Sequence, residues 1–100
     1  GDFNSSPDDA TYALFHERGF QDAWNDVHGD ADGYTGLQSD TLDNDVSELY
    51  QRFDYILHRA PGLVTSSAAL VGADADSRLP SGLWPSDHAG VVASFGPAAG

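Results

Sequence analysis

The sequence predicts an α+β fold in which the helices come first and the strands follow. The early segments have helix start and stop signals, and the later segments have the alternation or the β-branched content typical of strands. The predicted elements are helices over residues 6–18 and 21–28 and strands over residues 46–59, 63–71 and 89–95. This order favours one helical layer packed on a small mixed or antiparallel sheet.

The first helix has a recognisable beginning and end. Ser6 can cap it and Pro7 suits its first position, while Gly19 is a typical left-handed stop. Phe20 should then fold back on Phe15, the hydrophobic contact that accompanies such stops. The inward-facing stripe that we expect for this helix consists of Ala10, Ala13 and Leu14.

The first and last strands have different expected environments. In residues 46–59, Asp54 alternates with Phe53 and Tyr55, so the carboxylate should face away from the aromatic pair. An acid in the middle of a sheet costs several kcal/mol unless it is paired, roughly 2–7 for a polar group, and a histidine would be a suitable partner. The last strand, residues 89–95, is apolar on both sides, as expected of a central position.

The chain of 100 residues suits one small domain or part of a larger one. We expect residues 1–95 to form the domain and residues 96–100 to be a frayed tail. No apolar run approaches the roughly 20 residues that a membrane span requires. The first residues do not have a signal-peptide pattern, and the absence of cysteine excludes disulfides and thiol chemistry without fixing the compartment.

The charge is strongly acidic, with sixteen acids, four basic residues that are all arginine, and a formal net charge of −12. Long duplex nucleic acid is held mainly by cationic contacts to phosphates, and this chain offers few of them. Three explanations remain open: the basic groups lie elsewhere, the substrate is not long DNA, or divalent cations supply the positive charge. The simpler explanation for most of the charge is that an acidic excess aids solubility or reflects a salt-rich habitat.

The residues that could carry chemistry fall in three short motifs. These are Gly1-Asp2-Phe3-Asn4, Arg52-Phe53-Asp54-Tyr55-Ile56-Leu57 and Ser86-Asp87-His88. Together they place carboxylates, an amide and an imidazole at the ends of predicted strands. Hard oxygen ligands suit Mg²⁺ or Mn²⁺, and an imidazole paired with a carboxylate is held in one tautomer and can stay cationic near a phosphate. The set is typical of metal-assisted phosphoryl transfer.

With these motifs in this order, the chain resembles the C-terminal half of the endonuclease/exonuclease/phosphatase family, the fold of deoxyribonuclease-I-like enzymes. The resemblance implies that Asp2 orients or deprotonates the attacking water and that Asn4 donates to the scissile phosphate. It implies that Asp54 grips His88 on the phosphate side and that Asp87 belongs to the shell of an Mg²⁺ or Mn²⁺ ion. Phe3 should point the other way, into the core.

The same resemblance implies a four-layer α/β/β/α sandwich of which this chain supplies one half. The absent N-terminal half would cover the other face of the sheet and supply the metal-binding glutamate. We therefore expect the chain alone to be inactive or nearly so, as part of a divalent-metal-dependent phosphoesterase. The substrate is a phosphate ester, and fold resemblance does not choose among nucleic acid, phospholipid and inositol phosphate.

Each motif also has a purely structural interpretation. Residues 2–4 could be an Asx turn, Asp54 a strand acid facing water, and His88 a packing residue before a strand. The second hypothesis for function is accordingly a non-catalytic acidic module that binds cations or a basic partner. The two hypotheses differ in one respect, because only the phosphoesterase requires Asp2, Asn4, Asp54, Asp87 and His88 to converge.

Several other polar residues have weaker signals. Residues 28–33 are similar to a calcium loop but have histidine where the first acid belongs, so we interpret them as a solvated loop. Thr35 matches a strand threonine of the family only loosely. His16 and His58 are expected to be surface or packing residues, and Arg52 a simple salt-bridge partner.

Overall fold

The computed structural model describes residues 1–98 and has the predicted α+β class. Its elements are α1 (Ala10–Glu17), β1 (Gln21–Asp22), α2 (Ala23–His28), β2 (Leu57–His58), β3 (Leu63–Val71), a 3-10 turn (Ala75–Ser77) and β4 (Gly90–Pro97). Within the described residues the strands form two antiparallel pairs, β1–β2 and β3–β4, instead of one sheet. No helix of the described residues has the length and apolar character needed to cross a membrane.

Helix α1 starts one turn later than predicted. Ser6 and Asp9 close a turn, in which the Ser6 amide donates to Asp9 Oδ2 at 2.8 Å and the Asp9 amide donates to Ser6 O at 3.0 Å. The helix therefore begins at Ala10 with Asp9 as its N-cap. The predicted stop is confirmed, because Gly19 has a φ of 84°. The chain then turns back toward the helix that it has just left.

The predicted inward stripe of α1 is wrong. None of its residues is buried, and Leu14 is 50% exposed. The physical reason is that α1 contacts the rest of the chain through its aromatic side chains, Tyr12 and Phe15, which are intermediate in burial. The side of the helix that carries Ala10 and Ala13 faces solvent.

An aromatic cluster joins α1 to the segment that contains Asp54. Phe3 lies between Phe15 and Tyr55, at centroid distances of 5.3 and 5.4 Å. Tyr12 packs 5.4 Å from Tyr55, and Phe20 packs 5.4 Å from Phe15, as the helix stop predicts. Aromatic pairs of this kind each contribute about 0.5–1.5 kcal/mol beyond their buried area. They fix the position of the chain start beside the Asp54 segment.

A buried ion pair lies beneath this cluster. Arg52 Nη2 donates to Asp22 Oδ2 at 2.7 Å, and their side chains are 8% and 4% exposed. The same carboxylate accepts the hydroxyl of Tyr12 at 2.9 Å, and its other oxygen accepts the amide of Trp24 at 3.1 Å, where it caps α2. The guanidinium also lies 5.1 Å from the centroid of Tyr55. Arg52 is thus the salt-bridge partner that the sequence predicts.

The long strand predicted over residues 46–59 is mostly absent. Only Leu57–His58 forms a ladder, with Asp22 and Gln21 of β1, and the rest makes isolated bridges at Gln51 and Asp54. The backbone amides of Phe53 and Asp54 bond to the side chain of Thr35 instead of to a neighbouring strand, so the pairing is interrupted.

The predicted alternation is also wrong, because the buried residues of this segment are Arg52, Tyr55 and His58, three positions apart. The ring of Phe53 lies 6.3 Å from that of His88, so it does not share a side with Tyr55.

The β3–β4 hairpin is the largest sheet in the described residues. The bounds of β3 are as predicted, and β4 runs from Gly90 to Pro97, two residues beyond its predicted end. Within residues 1–98, β4 pairs only with β3, so the predicted central position is wrong for this part of the chain. Of the predicted tail, residues 96–97 lie in β4, and residues 99–100 lie outside the described range.

One face of the hairpin packs on α2 and the other is open. Val64, Val71 and Val92 are 49%, 54% and 49% exposed, and the exposed face contains no charged residue. On the packed side, the His28 ring donates from Nε2 to Ala68 O at 2.6 Å. The hairpin is therefore anchored through one face only.

A histidine–aspartate pair anchors the base of the hairpin. His58 Nε2 donates to Asp26 Oδ2 at 2.8 Å, and the hydroxyl of Thr65 donates to the same oxygen at 2.8 Å. The His58 side chain is 8% exposed and packs edge-on against Phe95. His58 is thus a packing residue, one of the two roles expected for it.

We expect Asp22→Asn to destabilise the fold by about 3 kcal/mol, because loss of one partner leaves a buried charge uncompensated. The measurement is the urea concentration at half unfolding, compared with Asp40→Asn, which alters an exposed carboxylate. Equal midpoints for the two variants would show that the Arg52 pair does not support the fold.

Candidate active site

The start of the chain is held beside Asp54 by a short antiparallel pairing. The Phe3 amide donates to Phe53 O at 2.8 Å, and the Tyr55 amide donates to Gly1 O at 3.0 Å. Asp2 is therefore directly opposite Asp54 in an isolated antiparallel bridge. Because alternate side chains share a face, the rings of Phe3 and Tyr55 enter the aromatic cluster while both carboxylates project to the other side.

The carboxylate of Asp54 meets the ring of His88, which is distant in the sequence. His88 Nδ1 lies 2.6 Å from Asp54 Oδ2, and the two side chains are 23% and 18% exposed. A carboxylate only accepts hydrogen bonds, so the proton of this contact lies on Nδ1. The bond fixes the ring orientation and leaves Nε2 facing outward.

The outward nitrogen of His88 faces the carboxylate of Asp2. His88 Nε2 lies 3.7 Å from Asp2 Oδ2, beyond a direct hydrogen bond but short enough for a shared partner between them. One ligand atom from each of Asp2, Asp54 and His88 lies within 4.8 Å of the others. The side chain of Asp2 is 40% exposed, so the group opens to solvent on this side.

The pKa of His88 is raised above its ordinary value. The main cause is its hydrogen bond to Asp54, and the negative charges of Asp54, Asp2 and Asp87 add to it. Partial burial acts in the opposite direction, because it disfavours the charged imidazolium. The hydrogen bond and the neighbouring charges therefore favour the imidazolium form, whose Nε2–H can donate to an anion.

Asn4 and Asp87 lie at the site without joining this group. Asn4 has a left-handed φ of 50°, and its amide donates to Asp2 Oδ1 at 2.8 Å, the Asx turn that the sequence also predicts. Asp87 is exposed, and its backbone oxygen accepts the amide of Gln38 at 2.8 Å. Its charge reaches His88, but its carboxylate is outside the group of Asp2, Asp54 and His88.

Sequence reasoning gave too little weight to Thr35. This residue is fully buried, and its hydroxyl oxygen accepts the amides of Phe53 at 2.9 Å and Asp54 at 3.1 Å. Its backbone oxygen accepts the amide of Ala89, next to His88, at 2.8 Å. The sequence signals were a loose match to a strand threonine of the family and a β-branched residue inside a glycine- and aspartate-rich stretch, both weak indications of burial.

The sequence profile of the endonuclease/exonuclease/phosphatase family matches residues 1–88, which include all three motifs. The chain belongs to the endonuclease/exonuclease/phosphatase family. Members of this family are generally metal-dependent phosphoesterases and nucleases. No curated protein sequence matches the chain significantly.

The family generally uses divalent metals, and the described residues satisfy only part of such a site. One ligand atom from each of Asp2, Asp54 and His88 could face a metal ion, but the His88 ring and the Asp54 carboxylate are already bonded to each other. The carboxylates that remain are those of Asp2 and Asp87, both solvent-accessible. Mg²⁺ prefers about six oxygen ligands, so these two carboxylates fit a metal ion as contributors and not as a complete ligand set.

The pairing of His88 with Asp54 should make stability depend on pH in a defined direction. The pKa of His88 is raised in the folded chain, so its contribution is fully present below the unfolded value of about 6.5. That contribution is lost as the pH rises through the folded pKa. The stability lost in Asp54→Asn, measured by urea unfolding between about pH 5 and 9, should therefore shrink as the pH increases.

The matched control for this measurement is Asp40→Asn, an exposed acid in a loop. The His58–Asp26 pair is present in all of these proteins, so its contribution to stability cancels in the difference. A stability difference that stays constant across the range would contradict the raised pKa.

Proposed function

We propose that the chain is the C-terminal half of a divalent-metal-dependent phosphoesterase. The observation that supports this best is the convergence of Asp2, Asp54 and His88, which come from three separate segments. The His58–Asp26 contact shows that such a pair can be structural, whereas the His88–Asp54 pair has a further carboxylate, that of Asp2, 3.7 Å from its outer nitrogen. Hydrolysis of a phosphodiester or phosphomonoester is the reaction that these groups suit.

In this proposal His88 binds the scissile phosphate and Asp54 holds it in place. Asp54 accepts a hydrogen bond from Nδ1–H, which holds the ring in one orientation and one tautomer. Nε2–H then donates to a non-bridging phosphate oxygen. Its positive charge offsets the negative charge that accumulates on the phosphoryl oxygens in the transition state.

Asp2 and Asn4 act on the opposite side of the same phosphate. Asp2 is oriented by its own turn, since one carboxylate oxygen accepts the Asn4 amide at 2.8 Å. The other oxygen faces the space in front of His88 and can accept a proton from water as that water attacks phosphorus. The side-chain amide of Asn4 is exposed at the same turn and donates to a phosphate oxygen.

Asp87 contributes to an Mg²⁺ or Mn²⁺ site that this chain only partly builds. When bound, the metal would neutralise phosphate charge and act as a Lewis acid. In the proposal an N-terminal half supplies the remaining ligands, including a glutamate. It also packs on the open face of the β3–β4 hairpin to complete a four-layer sandwich. The partial domain over residues 1–95 would then have little activity by itself.

The alternative is a non-catalytic acidic module that binds cations or a basic partner, which the net charge of −12 favours. Such a module has no need for a fixed imidazole at the edge of its carboxylates. The 2.6 Å contact between His88 and Asp54 therefore supports the phosphoesterase over the module. The substrate is a phosphate ester, and membership of the family does not choose among nucleic acid, phospholipid and inositol phosphate.

The activity test joins this chain to an N-terminal half from a family member and measures hydrolysis of bis-p-nitrophenyl phosphate with Mg²⁺. We expect His88→Ala to lower kcat by about 10²–10⁴-fold, the usual range for a group that acts directly on the reacting atoms. Asp54→Asn should lower kcat through the same ring, because the ring then loses its fixed orientation.

The matched control is His16→Ala, which removes an exposed histidine of α1. It should leave kcat unchanged. Full turnover in His88→Ala would remove the basis of the phosphoesterase assignment.

Metal binding can be tested on the chain alone with Mn²⁺, which broadens the NMR signals of nearby nuclei. The backbone signals of residues 1–4 and 87–88 should broaden first, and Asp87→Asn should weaken that broadening. Asp76→Asn, which alters another exposed acid, is the control. If the acidic loop over residues 40–45 broadens at lower Mn²⁺ than the site does, the metal assignment is wrong.

A further inference from the structure

Thr35 lies between the segment that carries Asp54 and the segment that carries His88. Its hydroxyl oxygen accepts the Phe53 and Asp54 amides, and its own amide donates to Gln51 O at 2.9 Å. Its backbone oxygen accepts the amide of Ala89 at 2.8 Å. One buried residue is thus bonded to the segment that carries the carboxylate and to the segment that carries the imidazole.

The next residue, Gly36, extends this junction. It forms antiparallel bridges with both Gln51 and His88, so it lies between the same two segments. A β-carbon at this position would come within 2.6 Å of the Phe53 ring. The close approach is possible only without a side chain, and it sets how near the two segments can be.

The double acceptance by the hydroxyl has a geometric consequence. In a regular strand, successive amides point to opposite sides, so no single atom can accept both. The Phe53 and Asp54 amides both reach Thr35 Oγ1, which requires the backbone to bend at this step. The bend lies where this segment changes its pairing partner, from Gly36 at Gln51 to Asp2 at Asp54.

We infer that Thr35 is a positioning residue whose hydroxyl fixes the backbone of Asp54 so that its carboxylate holds the imidazole of His88. The inference rests on the proposed function, because it assigns Thr35 to the phosphate-binding histidine of that reaction. Thr35 itself is fully buried and does not touch substrate. Its hydroxyl acts through the backbone at Phe53 and Asp54.

The test uses the chain alone and reads the His88 ring by NMR. Long-range ¹H–¹⁵N correlation shows which ring nitrogen carries the proton, and low-temperature ¹H spectra detect the Nδ1 proton bonded to Asp54. In the parent chain and in Thr35→Ser, Nδ1 should be protonated and its proton should resonate at low field. In Thr35→Val, which keeps the shape but loses the acceptor, we expect this resonance to disappear.

The second histidine–aspartate pair is an internal reference in the same spectra. His58 donates to Asp26, and Thr65 donates to that carboxylate, far from the bend. The His58 signal should persist in Thr35→Val. The matched control Thr65→Val removes a hydroxyl from the reference pair and should leave the His88 signal unchanged.

The outcomes separate a positioning role from a structural one. Persistence of the His88 resonance in folded Thr35→Val would overturn the inference, as would its loss in Thr35→Ser. Loss of the His58 signal together with that of His88 would show that the hydroxyl supports the whole fold, which also overturns the specific role. Because no arm measures turnover, failure here is distinct from failure of the proposed phosphoesterase activity.

Discussion

The buried pair of Asp22 and Arg52 is the interaction on which the architecture depends. The carboxylate caps α2, accepts the Tyr12 hydroxyl from α1 and neutralises a guanidinium that lies two residues before Asp54. Both helices are therefore connected to the site segment through one charged group. A buried ion pair is weak evidence for stability as such, but it specifies one arrangement, because any other leaves a charge unpaired. This arrangement sets the geometry of the site.

Local sequence signals predicted the elements whose causes are local. The strand over residues 63–71 and the stop at Gly19 follow from β-branched content and from the conformational freedom of glycine. The motifs also identified Asp2, Asp54 and His88, which the fold brings together. Asn4 and Asp87 stay at the margin, and their roles depend on groups outside this chain.

The sequence failed where tertiary contacts override local pattern. Residues 29–45 have the polarity of a solvated loop, yet Thr35 is fully buried. Its hydroxyl accepts backbone amides of the segment that carries Asp54, which are not paired with a strand. The same amides explain why the alternation around Asp54 did not give a regular strand. In α1, periodicity favoured the small aliphatic residues, whereas ring size decided which side chains made contact. Single-residue partners of this kind leave no periodic signal.

The positive charges of this acidic chain are mostly committed away from the site. Arg52 is buried with Asp22, Arg59 lies 4.5 Å from the Phe20 ring, and Arg78 lies 5.7 Å from the Trp84 ring. Near the clustered carboxylates, the side chain that favours a positive charge is His88, whose pKa is raised by its bond to Asp54. An anionic ester that approaches the described residues is therefore attracted by the His88 ring and repelled by the carboxylates around it. A cation bound with the ester would reduce this repulsion and assist binding.

The open face of the β3–β4 hairpin has a consequence for handling the protein. Val64, Val71 and Val92 expose an uncharged surface, and repulsion between acidic molecules is what keeps two such surfaces apart. That repulsion fades as carboxylates protonate toward the isoelectric point of about 4.1. Mild acid or concentrated salt should thus favour self-association through this face before the chain unfolds, and dilute neutral buffers should keep it monomeric.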